Sequence, residues 1–145
     1  MAENDSDAVP MSTPSPQEIL VYIMVAASAA DGTMSDPELK SIGVEVQSLP
    51  VFRDMDDDAF MKAVRDCSAL LDDDDGLDTI LQLAASLPAR LQETAYVLVV
   101  DVAAADLSVA QEEVRFLQLV RDALSLDRLT TAAIERSAKA RFQTS

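Results

Sequence analysis

Five carboxylates stand where this chain could do chemistry: Asp31, Glu38, Asp106 and Glu113, with Asp101 as a fifth. The first four fall in two related segments. AASAADGTMSDPELKSI, from Ala26, lies over DVAAADLSVAQEEVRFL, from Asp101, at an offset of 75 residues. The apolar lead-ins also correspond, ILVYIMV from Ile19 over TAYVLVV from Thr94. Asp31 matches Asp106, Thr33 matches Ser108, Glu38 matches Glu113, and Ile42 matches Leu117. In each copy an Asp closes an apolar stretch and a Glu follows seven residues later. If the copies pack about a pseudo-twofold axis, the four acids converge. Such a cluster is costly to bury unless a cation neutralises it. A set made only of oxygen ligands suits calcium, magnesium or manganese rather than zinc or copper.

The same residues have a plainer reading. Glu38 is the third residue after Ser35, the spacing of a capping box, and needs no ligand to explain it. In the second copy, however, Gln111 holds the box position after Ser108 and Glu113 falls two residues beyond. The acid keeps its place in the repeat while the cap moves, which favours a shared role. Asp101 interrupts the apolar run from Val97 to Ala104 and therefore needs a partner. An arginine such as Arg115 or Arg121 and a metal ion are equally good candidates.

Helices must position these acids. Pro16 is suited to open the first. From Ile19 to Ala30 the chain is apolar nearly all round, as expected of a helix buried on most sides, and Asp31-Gly32 ends it. Ser35-Asp36-Pro37-Glu38 starts a second helix with Leu39, Ile42, Val46 and Leu49 as its apolar stripe, ended by Pro50. Asp56 to Asp58 begin a third, carrying Phe60, Val64, Cys67 and Leu71; acids in a first turn complement the helix dipole. A short helix is expected from Asp78 to Leu87 and a long one from Ala89 to Asp106. Ser108 caps the sixth, with Phe116, Leu117, Val120 and Leu124 apolar. The seventh runs from Asp127 to Phe142 with Leu129, Ala133, Ile134 and Ala138 on one face. The expectation is an all-α fold of about seven helices in two pseudo-symmetric helical-hairpin halves.

Composition excludes several functions. The chain carries 26 acids against 11 bases, a net charge of −15, which repels phosphate backbones and anionic lipid and attracts cations and basic protein surfaces. It has no histidine, which removes the commonest general base and the usual zinc site. The three glycines, Gly32, Gly43 and Gly76, are too far apart for a phosphate loop. Cys67 reads as a small buried hydrophobe. Asp72-Asp73-Asp74-Asp75-Gly76 fails as a calcium loop, because Gly76 at the sixth position leaves Leu71 at the first and Gln82 at the twelfth. It reads as a solvated turn. Residues 1–15 read as a disordered acidic tail rich in Ser and Pro, with neither the basic start nor the apolar run of a signal peptide.

The two copies of Ala-Ala-Asp with a following Glu, Ala29-Ala30-Asp31-Gly32 with Glu38 and Ala104-Ala105-Asp106 with Glu113, together with Phe116-Leu117 and Ala123-Leu124-Ser125-Leu126, resemble the TerB-like family, named for tellurite resistance. The resemblance covers roughly residues 17–143 of the domain expected at 16–145, and the chain departs from it at Leu107, where the family's second copy often has Gly. It implies a cytoplasmic stress-response protein that is not an enzyme. It also implies a divalent cation bound through acidic residues, and protein partners in a larger assembly. Neither nucleic-acid binding nor membrane insertion is expected. The alternative is a protein-interaction module with no physiological metal.

Overall fold

The computed structural model describes residues 13–31, 36–105 and 111–143. Within them lie α1 (Pro16–Ser28), a 3-10 turn at Ala29–Asp31, α2 (Asp36–Ser48), a 3-10 turn at Pro50–Phe52, α3 (Asp57–Leu71), α4 (Gly76–Ala85), α5 (Ala89–Ala105), α6 (Gln111–Ala123) and α7 (Arg128–Arg141). No strand occurs among the described residues.

The architecture follows from two helices that have almost no polar face. Every residue of α1 from Ile19 to Ser28 is buried, and so is α5 from Leu98 to Ala103. A helix of this kind must be surrounded. α1 and α5 pack on each other more extensively than any other pair, and the remaining helices cover them. α3 lies along α1 and α7 along α5; α2 packs on both central helices, and so does α6. α4 touches α1, α3, α5 and α6. One continuous core results, with Tyr96, Phe52, Leu20, Ile23 and Met24 among its largest fully buried side chains. No helix among the described residues is long and apolar enough to cross a membrane.

Local chemistry sets the helix ends. Ser15 and Glu18 make a complete capping box: the Glu18 amide donates to Ser15 Oγ at 3.1 Å and the Ser15 amide to Glu18 Oε1 at 2.8 Å. Ser15 therefore belongs with the folded domain rather than with the tail. Asp56 caps α3 by accepting from the Ala59 amide at 2.8 Å, and Asp127 caps α7 by accepting from Thr130 at 2.7 Å. Gly76 opens α4 two residues earlier than the apolar pattern predicts. A Cβ there would come within 1.8 Å of the Leu70 carbonyl oxygen, so only glycine lets α4 start this close to the end of α3. The caps expected of Ser35 and Ser108, and the tail through Ser12, lie outside the described residues.

Two apolar expectations need correction. Leu129 and Ala133 do not lie on the packed face of α7; Leu129 is 81% exposed. The buried stripe is Thr131, Ile134 and Ala138, and Leu129 sits about 200° round the helix from Thr131. Leu39 is likewise exposed at the edge of the α2 stripe, while Ile42 and Val46 are buried and Leu49 is half-buried.

Candidate functional site

Of the repeat acids, the backbone describes the turn that carries Asp31 and the helices that carry Glu38 and Glu113. α2 and α6 occupy the same places in the two copies, 75 residues apart at both ends. The 3-10 turn that carries Asp31 packs directly against α6, the helix that carries Glu113. Asp106 lies outside the described residues, and so do the side chains of Asp31, Glu38 and Glu113. One atom nearby is out of the ordinary. Ser28 Oγ, fully buried in the last turn of α1 three residues before Asp31, has no hydrogen-bond partner among the described residues. Buried hydroxyls normally find one.

Asp101 has a basic partner, and it is neither of the two arginines expected from the sequence. Arg141, at the end of α7, donates from Nη2 to Oδ1 at 2.7 Å and from Nη1 to Oδ2 at 3.3 Å. The pair is asymmetric: the Asp101 side chain is 5% exposed and that of Arg141 47%. Water reaches the guanidinium but scarcely the carboxylate. The guanidinium also lies over the Phe142 ring, 5.6 Å from its centroid. Glu45 on α2 faces the same charges. Burial holds its carboxyl above the ordinary value, the negative charge of Asp101 adds to that, and Arg141 opposes it.

Arg121 serves a second polar cluster. Its Nη1 donates to Glu135 Oε2 at 2.8 Å and to the Tyr96 hydroxyl at 3.3 Å, and the Tyr96 hydroxyl donates to Glu135. Burial, reinforced by the Glu135 carboxylate, pushes the Tyr96 phenol up to about 12. It stays neutral at any physiological pH and acts as a fixed donor. Both clusters join α5 to α7, the second also through α6, and neither contains a nucleophile with a base beside it. Cys67 offers none either: its buried thiol donates to the Tyr22 carbonyl at 3.3 Å and is pushed up to about 12 by burial.

The chain's apolar groove was not anticipated from the sequence. It is open, about 560 Å³ in volume, and lies between the end of α1, the end of α3, the start of α4 and the middle of α6. Ala26, Ala29, Ala30, Leu71, Leu77, Phe116 and Leu119 line it. Asp72 and Arg115 also line it. Periodicity could not reveal it, because each of these residues looks like ordinary core on its own helix. Among the described residues no three metal-ligating side chains come together. Comparison with protein-family models, with curated proteins and with solved structures finds no match to this chain.

Proposed function

We propose that this chain is a non-enzymatic, TerB-like acidic helical domain of a stress-response type. It binds a divalent cation, calcium, magnesium or manganese, through the repeat-related carboxylates Asp31, Glu38, Asp106 and Glu113. The observation that carries the reading is the packing of the Asp31 turn against α6, which brings the acid-bearing backbone of one copy to that of the other. The matched bounds of α2 and α6 support it. The cation would neutralise acids that otherwise repel where the two halves meet. Asp101 was a fifth candidate ligand. Its engagement by Arg141 leaves the proposal resting on the other four.

A ligand that binds only the folded state stabilises it by about 2.7 kcal/mol at a hundredfold excess over its dissociation constant. Calcium, magnesium or manganese is therefore expected to raise the melting temperature of chelator-treated protein. Any divalent cation also screens a net charge of −15, so the discriminating comparison is between variants. Asp31→Asn with Asp106→Asn is expected to abolish the rise; Asp73→Asn with Asp74→Asn in the exposed acidic turn is expected to keep it. Equal responses from the two double variants would reduce the effect to diffuse screening and remove the cation site.

A second reading, an interaction module that docks proteins with basic surfaces, is favoured by the apolar groove and the charge around it. It needs no metal, and the two activities are compatible in one domain.

A further inference from the structure

We infer that the groove between α1, α3, α4 and α6 receives an amphipathic helix with a cationic face, supplied by another protein. The inference rests on the interaction reading and is independent of the cation. Three observations select this occupant. The groove is lined mainly by apolar side chains, with Ser68, Asp72 and Arg115 among them, so what fills it must present apolar anchors. Three of its lining residues are alanines, which let an incoming ridge of side chains come close, and Leu119, also in the lining, remains 39% exposed.

The walls decide between a helix and an extended strand. They come from helices, helix ends and a 3-10 turn, and no strand is among them. An extended segment laid here would find no sheet edge to pair with and would leave its own backbone groups unsatisfied. A helix satisfies its own backbone and needs only side-chain contacts, with anchors spaced i, i+3, i+4 and i+7.

Charge decides the sign of the partner. One end of the groove opens on the turn between α3 and α4, where Asp72, Asp73, Asp74 and Asp75 follow one another and all are exposed. Asp78, in the first turn of α4, is exposed as well. The whole chain carries −15. A segment with Lys or Arg on its outer face gains from this rim, chiefly in association rate, and an acidic one is turned away.

The test uses the full chain in chelating buffer, so that the cation plays no part. The probe is a synthetic amphipathic helix of Leu and Lys; its control replaces every Lys by Glu. The Lys peptide is expected to shift the backbone resonances around Leu71, Leu77, Phe116 and Leu119, and the Glu peptide to leave them in place. Leu119→Asp is expected to weaken binding about tenfold or more, the scale of losing one anchor contact. Neutralising Asp73, Asp74 and Asp75 to Asn is expected to slow association and flatten its salt dependence. The resonance map is read on the unaltered chain, so it stands even if Leu119→Asp fails to fold.

Shifts spread over other acidic surfaces, with Leu119→Asp binding normally, would overturn the groove while leaving the interaction reading in place. No binding of the Lys peptide at all would overturn both. Laurate binding in the groove and displacing the peptide through Arg115 would make the site one for a small anionic amphiphile and overturn the assignment.

Discussion

Two outer helices, α3 and α7, pack on the two central helices in different ways. In the first, α3 lies along α1 with Ala63 and Cys67 fully buried, and the Cys67 thiol bonded to the Tyr22 carbonyl is the polar contact between them. In the second, α7 lies along α5 with only Thr131 and Ala138 buried, and two charged clusters hold its middle and its C-terminal end. Tyr96 and Asp101 on α5 stand at the repeat positions of Val21 and Ala26 on α1, which are both buried and apolar. The difference shows that a helix with a mostly polar surface can be held against a buried partner by a few directed contacts. Those contacts respond to pH, salt and single substitutions in a way that apolar packing does not.

The strongest way to break the comparison is to remove one member of the buried pair. Arg141→Met leaves the Asp101 carboxylate enclosed and without its base, and is expected to cost about 2–3 kcal/mol in urea denaturation. That lies at or below the lower end of the usual range because water already reaches the guanidinium side of the pair. The double variant Asp101→Leu with Arg141→Met removes the charge from the core and is expected to recover most of that loss. A double variant as unstable as the single one would show that Arg141 acts through packing alone.

A matched pair of deletions tests the two contacts by salt. Tyr96→Phe removes a hydrogen bond to Glu135 and is expected to cost about 1 kcal/mol or somewhat more. Cys67→Ala leaves a small void on α3 and is expected to cost a similar amount, about 1 kcal/mol. Arg121→Met is the sensitive member. Its penalty is expected to shrink as ionic strength rises, because the Arg121–Glu135 pair is partly exposed. The Cys67→Ala penalty is expected to stay constant. Parallel salt responses would erase the distinction between α3 and α7.

The smallest effect belongs to Glu45. Its carboxyl is held above the ordinary value by burial and by Asp101, so the fold disfavours its ionised form. That penalty is fully present above the raised value and disappears as pH falls through the carboxylate range. Glu45→Gln is therefore expected to stabilise the protein slightly near pH 7, by less than about 1 kcal/mol given its partial exposure, and to change nothing near pH 4. Stabilisation that persists at low pH would trace to packing rather than to charge.

The local pattern of residues was enough to define the helices. The two apolar stretches, the prolines at 16, 37, 50 and 88, and the acids at helix starts mark elements whose observed bounds differ by a few residues at most. These signals concern neighbours along the chain, and a helix is built from contacts three and four residues apart. The burial of Cys67 and the solvation of Asp72 to Asp75 were legible for the same reason. What joins distant segments was not. Asp101 showed that it needed a partner, but the choice of Arg141 over Arg115 or Arg121 depends on where α7 ends once it is laid along α5. The exposure of Leu129 depends on how α7 is rotated about its own axis, and Thr131 won the buried position that composition would have given to leucine. Gly76 read as part of a loop, and only the close approach to Leu70 shows why it must be glycine. The groove needed four helices in place before it existed. Local sequence determined the elements because their energetics are local; tertiary structure decided the partners, the rotation and the groove because each is a property of surfaces that meet only after folding.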